Sequence, residues 1–367
     1  MNANVETAQI GTKKQRSSNL ELLRIISMLA IVAHHFVVNS GITSAYDLQH
    51  ISANTLYLQL LGMWGKTAIN VFVLISGYFM CKAKLTLSRF CKVYLEAKFY
   101  RLVIFVILLI MGYETISPKG MLNVLFGFIR NPNGGFTSSF LMFYLFIPFY
   151  NVLIHHMTKK QHEYLLAVSL IYFTAAPTFL FAGSVFHEPL WYAILYFIAA
   201  YIRHYPQSWM NNNRICIPGL ICLALLSGLS VIVVDFVGVR FGFSSYYYMV
   251  ADSNMLLALL VSIFVFLVFK NINMKHNKMI NCIASTTFGV LCIHASSDAM
   301  RKFLWQDLLK VPQAYALSLP LLMLYSIASV IGVFAVCSVI DFVRIHLIEK
   351  PLFNKLNQQK WFCREII

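Results

Sequence analysis

The sequence predicts an all-α, polytopic membrane protein of about ten transmembrane helices with both termini cytoplasmic. Its 367 residues are 59% hydrophobic and only 12% charged, with a mean hydropathy of +0.69. Soluble chains carry about 25% charged residues, so an ordinary soluble domain is excluded. Apolar runs long enough to cross a bilayer, about 17 to 25 residues each, recur along the whole chain. They are continuous rather than alternating, which selects helices over a closed barrel.

The runs place spans near residues 20–39, 56–80, 99–115, 137–154, 163–182, 189–205, 215–236, 252–270, 279–299 and 315–343. The third is short and the last is long. With the N-terminus inside, twenty lysines and arginines flank the inner ends and only six flank the outer ends. The inner set includes Lys13, Lys14 and Arg16, the stretch from Lys82 to Lys98, and the stretch from Arg344 to Arg364. The outer set is Lys119, Arg130, Arg240, Arg301, Lys302 and Lys310. Cytoplasmic loops carry such an excess, so the formal charge of +15 orients the chain in a bilayer. No folded basic domain lies outside the spans, which speaks against nucleic acid as a partner.

The organisation is a cytoplasmic tail at 1–19, one membrane domain at 20–343 and a cytoplasmic tail at 344–367. The basic start resembles a signal peptide, but the apolar stretch after it is too long and lacks a small-residue cleavage site. It reads as a retained first span. The eight cysteines fall in spans or on the inner side without a C-x-x-C pair, so neither a disulfide framework nor a metal site is expected. No internal repeat is evident.

The first span carries Arg24, His34 and His35. Ionisable groups in a bilayer are costly and usually face an interior cavity that serves a function. Arg24 and His35 are eleven residues apart, roughly 20° beyond three full turns, so they share one helix face about 16 Å apart. The helix thus sets a cation near the inner surface and an imidazole deeper, in line. Glu21, three residues before Arg24, is placed to pair with it. His34 lies about 100° round the helix and faces elsewhere.

Two further segments admit two readings each. Lys98 and Arg101 stand at i, i+3 beside the inner end of span 1. They suit either a lipid-anchoring collar or an electrostatic grip for a phosphorylated ligand. Ser76-Gly77 in span 2 suits either close helix packing or a ligand approaching the backbone.

These residues together resemble a known family. Arg24-x10-His35, Phe72-x3-Ser76-Gly77-Tyr78 and Lys98-x2-Arg101, in that order, are similar to motifs of the membrane acyltransferase-3 family. The likeness continues in the aromatic stretch Phe140 to Asn151 and in Phe288-Gly-Val-Leu-Cys-Ile-His294. Lys98 stands where many relatives have arginine, and Ala295 follows His294 where many have an acidic residue. The resemblance implies an integral-membrane O-acetyltransferase of the bacterial cytoplasmic membrane. It would move acetyl from cytoplasmic acetyl-CoA to a cell-surface polysaccharide or its lipid-linked precursor.

It implies His35 as the catalytic base, with Arg24, Lys98 and Arg101 binding the donor and Ser76 and Gly77 lining the site. His294 is either a structural hydrogen-bonding group or a substrate contact. The physical reading fits this shape: acetyl-CoA is anionic at one end and carries its thioester on a long arm. A base with an ordinary pKa of about 6.5 suits activation of a sugar hydroxyl. Outer loops carry polar and aromatic residues able to hold a sugar, such as Tyr46, Asn133, Tyr246 to Tyr248 and Trp305. The rival class is a secondary transporter, which also buries charges. Transporters pair broken helices in matching halves, and no such pairing is visible.

Overall fold

A computed structural model describes residues 16–131, 135–180, 187–241 and 245–366. Lys13, Lys14 and Asn133 lie outside the described residues. The helices are α1 (Ser18–Val38), α2 (Ala53–Gly62), α3 (Gly65–Met80), α4 (Leu87–Ile110), α5 (Pro118–Arg130) and α6 (Phe136–His156). They continue with α7 (Lys159–Leu170), α8 (Ala176–Phe179), α9 (Glu188–His204), α10 (Asn213–Phe241) and α11 (Leu256–Lys270). The series closes with α12 (Lys278–Ala284), α13 (Thr287–His294), α14 (Asp298–Arg301), α15 (Leu319–Arg344) and α16 (Lys350–Leu356).

Five stretches among the described residues are long and apolar enough to cross a membrane: Ser18–Val38, Ala53–Met80, Phe136–His156, Asn213–Phe241 and Leu319–Leu356. A sixth, Lys278–His294 with Asp298–Leu308, bends by 97° at its break. Apolar side chains such as Leu225, Leu229 and Phe236 on α10 and Leu324, Ile331 and Val339 on α15 are exposed, as lipid-facing surfaces require. The chain is a multi-pass, all-helical membrane protein. The expected spans near 99–115, 163–182, 189–205 and 252–270 fall on α4, α7 with α8, α9 and α11, which are shorter, broken or more charged. Helix α9 is only 17 residues long, with Glu188, Arg203 and His204 in its end turns, and every residue from Trp191 to Ala200 is buried.

Helix α1 is the seam of the bundle, packing against α2, α3, α11, α12, α13 and α15. Its first turns, with Leu20 and Leu23, join a core built with α3, α6, α9 and α11. From Met28 to Val37 it joins a second core with α4, α13 and α15. Buried polar side chains fasten these helices where lipid offers no alternative partner. Asn70 on α3 accepts from the Trp191 indole at 3.0 Å and donates to the Ser253 carbonyl at 2.7 Å.

One end of the bundle gathers the basic segments. Asn19 donates to the carbonyls of Phe269 and Lys270, at 2.9 and 3.3 Å, and Ser18 accepts from the Asn277 N–H. The C-terminal tail lies against the segment before α4 through Leu87 N–H to Arg364, Ile366 N–H to Leu85, and a Lys84–Glu365 ion pair at 2.7 Å. The basic stretch from Lys82 to Lys98 is helical from Leu87 onward. Thr86 caps it, accepting from the Arg89 N–H, and its charged residues ride the first turns of α4. The opposite end holds the segments 39–52, 245–255 and 309–318.

Candidate active site

Helix α1 presents its two histidines to different neighbours because adjacent residues point about 100° apart. His34 Nδ1 donates to the Gly62 carbonyl at 2.6 Å, where α2 breaks before α3. Gly65 makes room for that ring: a Cβ there would stand 2.2 Å from His34 Cγ. His35, in the last turn of α1, faces α13 instead and keeps some accessible surface.

There His35 Nδ1 lies 2.9 Å from Nε2 of His294, a side chain with no exposed surface. His294 Nδ1 lies 2.6 Å from the Val290 carbonyl, one turn back on the same helix. A carbonyl only accepts, so His294 Nδ1 carries a hydrogen. In the neutral ring Nε2 is then the acceptor, and His35 Nδ1 must donate to it. The consequence is a fixed tautomer: His35 Nε2 is left with its lone pair free. This is the arrangement of a base nitrogen held by an orienting partner.

The chain turns sharply just after His294, at the break before α14. Arg101 of α4 donates to the Ser296 carbonyl in this break and secures it. Arg101 therefore lies at the level of the two histidines. Arg24 sits three helical turns nearer the basic end, half-buried, and pairs with Glu21 at 3.1 Å. Lys98 donates to the carbonyls of Val124 and Leu125, at 3.0 and 2.6 Å, beside the non-helical Phe126 in α5. It also lies over the Tyr94 and Phe128 rings. Ser76 Oγ donates to the Phe72 carbonyl at 2.9 Å, and Gly77 admits α9, since a Cβ there would stand 3.0 Å from Ala199 Cβ. The structure thus joins His35, His294 and Arg101 around one break, with Arg24 further along α1 and Ser76 and Gly77 on the α3–α9 contact.

Two participants escape a reading of the sequence. Trp305, expected among the outer-loop residues able to hold a sugar, is instead fully buried, edge-on to Phe36 and His294 with ring centroids 5.9 and 6.5 Å away. Its indole N–H and the Ser296 hydroxyl are buried without a partner in the protein, beside the histidine pair. No local pattern separates such a tryptophan from a belt residue. The Val290 carbonyl is backbone, and no sequence signal marks it. Among the described residues no group of three or more His, Cys, Asp or Glu side chains is arranged to hold a metal ion.

No curated protein and no solved structure matches the chain. Compared with known protein families, residues 17–341 match the acyltransferase domain, a stretch that contains α1 with its two histidines and the His294 break. The chain therefore belongs to the acyltransferase-3 family of membrane acyltransferases.

Proposed function

We propose that this acyltransferase is an O-acetyltransferase of the bacterial cytoplasmic membrane. It carries acetyl from cytoplasmic acetyl-CoA to a hydroxyl of a cell-surface polysaccharide or its lipid-linked precursor. In this reading ten spans cross the bilayer, both termini are cytoplasmic, and donor and acceptor meet at His35 from opposite sides. The observation that carries the proposal is the Val290–His294–His35 chain of hydrogen bonds, which leaves His35 Nε2 free to take a proton.

His35 Nε2 removes the proton of the acceptor hydroxyl as its oxygen attacks the thioester carbonyl. The tetrahedral intermediate then breaks the C–S bond, and the departing thiolate takes the proton from the imidazolium. The ester and free CoA result, and the histidine returns to its starting tautomer. Arg24, oriented by Glu21, grips the donor near the basic end, with Lys98 and Arg101 adding positive charge towards the thioester. Ser76, partly accessible, lines the donor's path, and Gly77 holds α3 close to α9.

Binding of acetyl-CoA to the purified protein tests this reading. Arg24→Ala is expected to weaken it by about tenfold or more, since a charge-assisted contact is worth roughly 1.5–3 kcal/mol. Arg101→Ala and Lys98→Ala should weaken it less, because both side chains also hold helix breaks. Unchanged donor affinity in all three variants would leave these residues as anchors and braces only. Reporter fusions provide a separate check on the membrane arrangement. Fusions at residue 360 and within 81–86 should both report the cytoplasm, and an external signal from either would overturn the assigned donor side.

A further inference from the structure

Beyond the histidine pair, at the end of the bundle where α1 finishes, lies a second constellation of polar groups. Tyr46, in the segment after α1, packs against Tyr246 and Tyr315, with centroids 6.3 and 5.9 Å apart. Tyr246 in turn lies edge-on to Tyr247 at 4.6 Å. All four rings are partly exposed. Beneath them Gln59 on α2 is fully buried, and its amide donates to Asp235 Oδ1 on α10 at 3.2 Å. Asp235 is 6% exposed, and Gln59 is its one stabilising side-chain partner among the described residues.

Three polar atoms of this cluster are buried with no partner in the protein: the Tyr46 hydroxyl, Gln59 Oε1 and Asp235 Oδ2. Orphaned groups of this kind are costly, and the great majority of buried polar atoms are satisfied. Two of the three accept only, so what completes them must bring hydrogen-bond donors. The cluster adjoins the reacting centre. One turn beyond Gln59 is Gly62, whose carbonyl holds His34, the neighbour of His35. Tyr247 closes the same corner by donating to the Gln59 carbonyl at 2.9 Å, and Gly62 admits it, since a Cβ would stand 2.6 Å from that hydroxyl.

We infer that this tyrosine-walled cluster binds a neutral, hydroxyl-rich sugar residue of the acceptor. The inference rests on the acyltransferase reading above and adds the acceptor's seat to it. One sugar hydroxyl donates to Asp235 Oδ2 and a second to Gln59 Oε1. A third bonds the Tyr46 hydroxyl, and the tyrosine rings cover the apolar face of the sugar. A carboxylate among aromatic rings also suits a quaternary ammonium ion. Such an ion donates no hydrogen bonds, however, and would leave Gln59 Oε1 and the Tyr46 hydroxyl as they are. A hydroxylated ring serves all three atoms at once.

The test uses the full chain purified in a detergent without a sugar headgroup. The probes are methyl glycosides of common hexoses and N-acetylhexosamines, tetramethylammonium and acetyl-CoA, with binding measured by calorimetry. At least one glycoside is expected to bind. Asp235→Asn should weaken that binding by about tenfold or more and Tyr46→Phe by about two- to tenfold, with acetyl-CoA affinity retained in both. Tyr46→Phe removes one oxygen from a partly exposed ring, so it keeps the test valid if Asp235→Asn does not fold. Glycoside affinity equal in wild type and variants, or binding of tetramethylammonium with no glycoside, would overturn the inference. Wild-type protein that binds a glycoside through Asp235 but does not bind acetyl-CoA would support the sugar seat and remove acetyl-CoA as the donor.

Discussion

Replacing His35 with alanine is expected to lower acyl transfer by about 10²- to 10⁴-fold, the usual contribution of a general base, while the protein remains folded in the membrane. His35 Nε2 is the nitrogen left with a free lone pair, because Nδ1 donates to His294 and His294 is committed to the Val290 carbonyl. His34→Ala should cost far less activity per folded molecule. Its ring is spent on the Gly62 carbonyl at the α2–α3 break, so its loss should appear as reduced stability. The His294 position separates orientation from packing. His294→Gln keeps a carbonyl oxygen that can accept from His35 Nδ1, whereas His294→Ala leaves that N–H unpaired. The glutamine variant should therefore retain more activity than the alanine variant, with donor affinity unchanged in both. Rates measured in vesicles at equal protein level decide the matter. Greater loss from His34→Ala than from His35→Ala would reverse the assignment.

Arg344→Met should produce the largest loss of stability. The Arg344 guanidinium, 6% exposed, reaches Asp341 at 2.7 Å, Glu349 at 2.9 Å and Glu96 at 3.1 Å. Lys92 meets Glu349 at 2.6 Å and Tyr100 donates to Asp341 at 2.8 Å. Three carboxylates therefore lean on the buried Arg344 and the exposed Lys92, tying α4 to the end of α15. Removing the arginine leaves buried charges uncompensated, a loss of about 3–5 kcal/mol by comparison with other buried pairs. Glu96→Gln should be much milder, because it removes a negative charge from a cluster that has one in excess. Thermal unfolding of the purified variants, followed with size-exclusion chromatography, checks this order. An Arg344→Met protein that unfolds at the wild-type temperature would show that the network carries no stability. Gly289 belongs to the same design, as a Cβ there would stand 2.1 Å from Asp341 Cγ.

Much of the membrane class was legible in the chain, because its cause is local. A run of about twenty apolar residues in lipid must satisfy its own backbone, and a helix does so within the run. Fixed helical periodicity likewise let eleven residues of spacing align Arg24 with His35, and let adjacency separate His34 from His35. What was not legible is how many runs meet lipid. Helix α9 is a 17-residue helix enclosed by protein from Trp191 to Ala200, and hydropathy alone does not report those surroundings.

For the site, the sequence by itself determined which residue types stand on which face of which helix. It established that a histidine and an arginine occupy an apolar span, that a basic pair stands at i, i+3 on what proves to be the middle of α4, and that a second histidine ends a late helix. The tertiary structure decided what each of them touches. The His35–His294 contact joins residues 259 positions apart, and the Arg101 brace on Ser296 spans 195. Lys98 is drawn to a break in α5 that its own helix does not foreshadow. Asp235 lies beneath the tyrosines of three loops only because α2 and α10 pack together. Periodicity acts through one helix at a time, so it reports orientation about an axis. A hydrogen bond, a tautomer or an orphaned acceptor depends on distances between helices, and those are set only when the whole bundle packs.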